Sequence, residues 1–119
     1  MSIRGIRGAI TVTQDDRESI LEATAELLKA MVEENQIDPS DLASVFLTMT
    51  PDLHSVFPAV AAREKLGWND VPLMCGAELD IDGGLEKCIR ALFHCNTNKD
   101  QDKIQHVYLR DAKKLRPDI

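Results

Sequence analysis

The sequence lacks a hydrophobic run long enough to cross a bilayer, which takes about 18 to 20 uninterrupted apolar residues. Its first ten residues, MSIRGIRGAI, place arginines where a signal peptide needs an apolar core. Basic charge is not in excess either, since 20 acidic residues stand against 14 basic ones. The resulting net charge of −6 disfavours binding to nucleic acid or to a membrane surface. We therefore expect a cytoplasmic protein with neither of these partners.

Cysteine is scarce, and its spacing shows no pairs. The three cysteines, Cys75, Cys88 and Cys95, form no CxxC motif, and an odd number argues against a disulfide framework. His94 and His106 stand nearby, but the spacing matches no recognised metal site. Buried cysteines commonly behave as small hydrophobic residues. The sequence thus predicts no metal and a reducing compartment.

Familiar catalytic motifs are also missing. The chain contains no GxSxG elbow, no phosphate loop of the GxxxxGK type and no GxGxxG. Its three histidines stand in unrelated contexts, so no Ser-His-Asp or Cys-His grouping is indicated. These absences favour either a binding module or a reaction that needs only positioning and charge complementarity.

The hydrophobic patterns predict a single domain over residues 1–119, of mixed α/β class. The first half is expected to form a strand over 2–12, a helix capped by Asp15 or Asp16 and ending near Asn35, a helical turn at 38–40 and a buried strand over 43–49. A helix from about Pro58 to before Gly67 and strands over 71–75 and 106–109 follow. This order, β-α-β-α-β-β-β once residues 85–95 are included, indicates a mixed sheet with helices on one face.

Two local features of these strands need comment. Gly5 and Gly8 within the first strand indicate a bulge or a close approach by backbone or ligand. Residues 85–95 fit a helix or a strand, and we favour a strand for the later part. Two-residue alternation would then place Arg90 and Cys88 on the face opposite Ile89, Ala91 and Phe93.

Three arginines, Arg7, Arg63 and Arg90, stand in distinctive local phrases. A planar guanidinium matches a carboxylate with two parallel hydrogen bonds, so arginines gathered at one place would form a site for a small anion. Arg7 and Arg63, taken alone, are more typical of surface charges than of a ligand site. Arg90 precedes Ala91-Leu92-Phe93, and we expect it to be substantially buried and to need an anionic partner.

Glu78 and the single tyrosine, Tyr108, are the other candidates. Glu78 follows a predicted strand, where it could be a general base, an acceptor for a ligand hydroxyl or the counter-ion of Arg90. The Tyr108 hydroxyl could meet a ligand carboxylate, although half-buried strand tyrosines are ordinary. From the residues alone, the chain is a mixed α/β domain with a candidate arginine-lined anion site.

Several phrases of the sequence closely resemble the chorismate mutase family: IRGIRGA, TPDLH, FPAVAAREKLGW, VPLMCGAELD, GGLEKCIR, HVYL and LRPD. The resemblance is to the small, monofunctional, trimeric, barrel-like class rather than to the all-helical class. It runs from about Ile3 to Asp118, with the blocks in the same order and at the same spacing. It implies the pericyclic Claisen rearrangement of chorismate to prephenate, on the route to phenylalanine and tyrosine.

The resemblance further implies a homotrimer that forms a pseudo-α/β barrel with active sites between subunits, and no metal, cofactor or covalent intermediate. Arg90 would donate to the ether oxygen, where charge develops, and to a carboxylate. Arg7 and Tyr108 would hold substrate carboxylate. Glu78, with the backbone around Cys75, would bind the ring hydroxyl.

The family pattern also implies residues around the substrate. Phe57 and Ala59 of the neighbouring subunit, together with Leu115, would supply apolar walls. Arg63 and Arg116 would lie near the mouth and help to close it. The sequence departs from the family pattern at Val60 and Met74, which we expect to tune the rim and to leave the chemistry intact.

Two other functions remain open at this point. A non-catalytic trimeric module that senses an aromatic-pathway carboxylate would use Arg7, Glu78 and Arg90 for binding alone. A purely structural role would make Arg90 and Glu78 a buried ion pair, and would predict no affinity for chorismate. Binding without turnover would identify the first of these functions, and the absence of binding would identify the second.

Overall fold

A mixed five-stranded sheet forms the centre of the fold. The computed structural model describes residues 1–118, so Ile119, the last residue of the predicted domain, lies outside the described residues. The strands are β1 (Ser2–Thr11), β2 (Leu42–Met49), β3 (Leu73–Ala77), β4 (Cys88–Thr97) and β5 (Val107–Tyr108). The helices are α1 (Arg17–Asn35) and α2 (Ala59–Glu64), and 3₁₀ turns cover Pro39–Asp41, Gln101–Lys103 and Arg110–Leu115.

The strand order is β3-β2-β4-β1-β5. The central strand β4 runs antiparallel to both β1 and β2, while β3 and β5 add parallel edges. The predicted α/β class and order of elements are therefore confirmed, and so is the strand chosen for the later part of residues 85–95. Pro72 stands just before the edge strand β3, where its missing N–H is tolerated.

Helix α1 begins and ends close to its predicted limits because its caps are local. Asp16 accepts a hydrogen bond from the Ser19 backbone N–H at 2.7 Å, and Gln36 ends the helix in the left-handed conformation.

The buried face of α1 packs on β1 at Gly8, where an added Cβ would lie 2.5 Å from Met31 Sδ. Gly8 thus marks a close approach, but by side chains of α1 and not by the backbone or ligand that was predicted. Neither α1 nor any other helix among residues 1–118 is long and apolar enough to span a membrane.

The two faces of the sheet differ in what covers them. Both helices pack against one face, which carries the main core of Ile6, Ile10, Val45, Leu47, Ile89 and Phe93. The opposite face presents the alternate residues of the same strands and is left uncovered by the two helices, with the 110–115 turn packing over Ala9 and Cys88. On it Phe46 is 42% exposed and Met74 is 62% exposed. The prediction of a buried strand at 43–49 is therefore wrong for one face, because β2 is covered by helices only on the other.

Candidate active site

A cavity of about 310 Å³ opens on the uncovered face of the sheet, and four predicted site residues line it: Arg7, Glu78, Arg90 and Tyr108. β1 carries Arg7, β4 carries Arg90, β5 carries Tyr108, and Glu78 follows β3. The register pairs Ala9 with Arg90 on one side and with Tyr108 on the other. The sheet thereby brings residues from both ends of the chain into one site.

Arg90 and Glu78 form an ion pair inside this cavity. Glu78 Oε2 lies 3.3 Å from Arg90 Nε, and the Thr48 hydroxyl donates a hydrogen bond to the same oxygen. The backbone N–H of Glu78 donates to the Met49 carbonyl at 3.0 Å, which fixes the chain where it leaves β3. A guanidinium has five N–H donors, so the pair leaves Arg90 with donors for a ligand. Within the described part of the chain, the hydrogen bond that Glu78 accepts on its side chain goes to Oε2 and none goes to Oε1.

The expectation that Arg90 is substantially buried is wrong for the single chain. Its side chain is 48% exposed, whereas that of Glu78 is 20% exposed. The apolar neighbours Ile89 and Ala91 pack into the core on the helix side, and alternation along β4 turns Arg90 to the uncovered face. The predicted counter-ion relationship with Glu78 is present, but as a half-exposed pair rather than a buried one.

Five further residues line the cavity, Gly8 and Ala91 together with three larger ones that were not anticipated as site residues: Phe46, Thr48 and Leu92. Phe46 and Thr48 are alternate residues of β2, and Phe46 pairs with Leu92 across the β2–β4 ladder. The two-residue period of β2 could have identified them. Reading residues 43–49 as a uniformly buried run concealed that signal.

The edge of the site near β5 contains Arg7, His106 and Arg116. The Arg7 backbone N–H donates a hydrogen bond to His106 Nδ1 at 3.0 Å. Arg116 bonds both oxygens of Asp118, at 3.0 and 2.8 Å. These hydrogen bonds lower the pKa of Asp118 to about 2. Both side chains of this pair are therefore charged at neutral pH.

Leu115 lies beside this edge but outside the cavity. It packs with Tyr108 against a small cluster of Ala9, Cys88 and Ala112. It also lines a second, shallower cavity of about 620 Å³, between the end of β1 and residues 83–87. An apolar wall from Leu115 would thus act next to Tyr108, not at the Arg90–Glu78 pair.

Four other predicted site residues do not line the cavity of the single chain: Cys75, Phe57, Ala59 and Arg63. The Cys75 side chain packs against the main core, so only its backbone can face a ligand. Ala59 is 6% exposed and belongs to that core, so little of its side chain faces outward in the single chain. Phe57, just before α2, is 71% exposed, and Arg63 lies exposed in the last turn of α2.

The cysteine beside the site is not a nucleophile. Cys88 is buried, and desolvation by burial raises the pKa of its thiol to about 11, in spite of the Arg90 charge. The thiol is therefore protonated at neutral pH.

Among residues 1–118, no three His, Cys, Asp or Glu side chains lie close enough together to hold a metal ion. What the cavity offers is two guanidinium groups, a carboxylate and a phenol, which suits an anionic ligand with a hydroxyl group.

Comparison with known proteins adds independent findings. The profile of the family described as Chorismate mutase type I matches residues 3–119. The chain is 51% identical over 119 residues to chorismate mutase AroH of Bacillus subtilis (strain 168), covering 100% of this chain and 94% of that protein. It is 50% identical over 118 residues to chorismate mutase AroH of Thermus thermophilus, covering 98% and 96%. A solved chorismate mutase from Clostridium thermocellum superposes with a TM-score of 0.90 at 47% identity, covering 92% of this chain and 97% of that one.

Proposed function

The chain belongs to the chorismate mutase type I family and has the activity of a chorismate mutase, and from that premise we propose how its residues carry out the reaction. Chorismate binds on the uncovered face of the sheet and rearranges there to prephenate. The observation that carries this proposal is the convergence of Arg7, Glu78, Arg90 and Tyr108 in one cavity.

The reaction needs no group that attacks the substrate. In this Claisen rearrangement the ether C–O bond breaks as a new C–C bond forms within the same molecule, without proton transfer. The protonated Cys88 thiol is consistent with such chemistry, because Cys88 offers no thiolate for covalent catalysis. Catalysis then comes from holding the reactive conformer and stabilising charge in the transition state.

Arg90 stabilises the charge that develops on the ether oxygen as the C–O bond lengthens. Its ion pair with Glu78 uses the Nε side of the guanidinium and directs the remaining donors to the ligand. A cation positioned before the reaction needs no reorganisation as charge appears, which is why such groups lower barriers strongly. Arg90 also donates to one substrate carboxylate.

The remaining polar groups bind and orient the substrate. Arg7 and Tyr108, side by side at the β1–β5 edge, hold a carboxylate and favour the compact, chair-like conformer. Glu78 uses Oε1 to accept a hydrogen bond from the ring hydroxyl, while Oε2 remains with Arg90 and Thr48. The backbone of β3 near Cys75 contributes there, because the Cys75 side chain faces the core.

We further propose that the enzyme is a homotrimer with its active sites between subunits. The uncovered sheet face exposes Phe46 and Met74, and burying such apolar surface favours association. Phe57 precedes α2, and Arg63 lies on that helix. Because α2 packs on the helix-covered side of the sheet, both residues lie away from the cavity of their own chain and would instead line the cavity of a neighbouring copy. Leu115 and Arg116 of the same chain would border the Tyr108 side.

The proposed setting is the cytoplasm, on the route to phenylalanine and tyrosine. The three cysteines are free thiols, as is usual for proteins of a reducing compartment. No cofactor is required, because the rearrangement involves neither redox chemistry nor group transfer to a carrier.

The proposal is tested by incubating the purified protein with chorismate, following its loss and the appearance of prephenate. A stable bicyclic dicarboxylate that mimics the transition state should compete with chorismate for the site and inhibit turnover. We expect rapid conversion by a protein that sediments as a trimer. Binding of the mimic without any turnover would instead identify a sensor, and an active monomer would contradict the intersubunit site.

A further inference from the structure

His106 completes the hydrogen bonding of β1 at the edge of the site. The parallel pairing of β5 with β1 comprises Gly8 with Val107 and Ala9 with Tyr108. The N–H of Arg7, one residue before this pairing, donates to His106 Nδ1 at 3.0 Å instead of to a strand carbonyl. A side chain at the start of β5 therefore holds the backbone of Arg7.

This hydrogen bond fixes the protonation state of the ring. An imidazole nitrogen accepts a hydrogen bond only when it carries no proton, so Nδ1 must be bare and the proton must lie on Nε2. Protonating Nδ1 would place one N–H against another and remove the acceptor. The Arg7 hydrogen bond thus exists only while His106 is neutral.

The surroundings of His106 favour the neutral form. Partial burial lowers its pKa, and the nearby charges of Arg7 and Arg116 lower it further. Glu34 of α1 and Tyr108 line the same shallow pocket as His106, and Asp118 is occupied by its bonds to Arg116. Because the pKa is lowered from 6.5, the ring stays neutral near pH 7 and becomes charged only in more acid solution.

We propose that His106 is a positioning residue for the substrate-carboxylate site: as a neutral ring it anchors Arg7 and the start of β5, and so aligns Arg7 with Tyr108. This inference rests on the proposed carboxylate-binding role of those two residues. On protonation the anchor is lost, and substrate binding weakens. The histidine itself touches no reacting atom.

Two substitutions separate anchoring from mere packing. In His106→Asn, the amide oxygen takes nearly the place of Nδ1 and accepts from Arg7 N–H without titrating. In His106→Leu, a side chain of similar size offers no acceptor. We expect His106→Leu to raise KM for chorismate roughly threefold to tenfold, the effect of one lost hydrogen bond, with kcat nearly unchanged. His106→Asn should restore KM at neutral pH.

The pH profile supplies a second readout. In the native enzyme kcat/KM should fall on acidification below the ordinary histidine value of 6.5, in a limb that His106→Asn removes or weakens. His54→Gln is the matched control, since the His54 side chain is 78% exposed and lies on another loop. That variant should keep the acid limb. An unchanged acid limb in His106→Asn would overturn the proposal.

Nitrogen-15 NMR of histidine-labelled protein tests the anchor without any assay. We expect a neutral His106 ring with the proton on Nε2, and an Arg7 amide resonance that moves as that ring titrates. A proton on Nδ1 at neutral pH, or normal KM in a folded His106→Leu protein, would contradict the proposal. If His106→Leu does not fold, the pH profile of His106→Asn and the NMR spectrum of the native protein still test the proposal. Absence of turnover in every variant would instead contradict the proposed function, with the NMR result unaffected.

Discussion

Glu78 holds Arg90 from the side of its Nε atom, at 3.3 Å, while Thr48 donates to the same carboxylate oxygen. With the Arg90 side chain 48% exposed, an ion pair of this kind adds little to the free energy of folding. Its effect is to orient the guanidinium. Substitutions at either residue should therefore alter catalysis far more than stability.

Replacing Arg90 by alanine should lower kcat/KM by at least ~10²-fold, as loss of a preorganised oxyanion donor does. Steady-state assays with chorismate measure the loss, and thermal unfolding checks the fold. Arg17→Ala is a matched control, because Arg17 is paired with Glu64 on the helix side at 3.0 Å. Near-normal turnover by a folded Arg90→Ala protein would remove Arg90 from the mechanism.

Substitutions of Glu78 should distinguish its two proposed functions. Glu78→Ala removes the hydroxyl acceptor and the partner of Arg90, and we expect a loss of kcat/KM of about 10²-fold. Glu78→Gln keeps an acceptor oxygen but not the charge, so it should retain more activity than alanine. Equal kinetics for Glu78→Ala and the native enzyme would contradict both functions.

A charge placed on the uncovered sheet face should disrupt the proposed trimer. Met74 is 62% exposed in the single chain, and Met74→Lys would bury an unpaired ammonium if that face is an interface. We expect sedimentation to show dissociation at micromolar concentration, together with loss of activity. Gln36→Lys adds the same charge at the end of α1 and should leave assembly intact. A stable Met74→Lys trimer would place the interface elsewhere.

The stability of the protein should fall in alkaline solution because of Cys88. Its thiol has a pKa of about 11 in the folded chain against an ordinary 9.0. Between these values the unfolded chain loses the proton while the folded one retains it, so the free energy of unfolding decreases as pH rises. Urea unfolding at several pH values should show a smaller decrease in Cys88→Ala. An identical alkaline slope would show that Cys88 is not responsible.

Gly8→Ala should destabilise the packing of α1 on β1. The new methyl group would lie 2.5 Å from Met31 Sδ and 3.0 Å from Leu27 Cδ1, and overpacking of this kind costs about 1–3 kcal/mol. Gly5→Ala is the control in the same strand, since its nearest neighbour, Leu92, is 3.9 Å away. Chemical unfolding of both variants measures the difference, and equal stabilities would mean that α1 adjusts freely.

The parts of the fold that depend on local chemistry could be predicted from the sequence. The caps of α1 and the alternation of β4 lie within a few residues of the elements they define. The covering of β2 could not be predicted in this way, because it depends on where two helices pack after the chain has folded. Phe46 is apolar and adjacent to core residues, yet it faces away from both helices.

The candidate site, like the fold, could be predicted from the sequence only in part. Arg7, Glu78, Arg90 and Tyr108 were candidates from the sequence itself and received specific roles by resemblance, and the structure places all four in one cavity. Alternation placed Arg90 on the correct face of β4, but its exposure was mispredicted because the sequence does not show that both helices pack on the other face. Thr48 was missed because its partner, Glu78, lies 30 positions away on another strand end.

The pairing of β1 with late segments has a consequence for synthesis in the cell. Ser2 pairs with Thr97 and Ala9 with Tyr108, so β1 is synthesised well before the strands that it pairs with. At about 5–20 residues per second, β1 waits several seconds as an unpaired apolar segment. The nascent chain therefore leaves the backbone hydrogen-bonding groups of β1 without strand partners until β4 and β5 have been made.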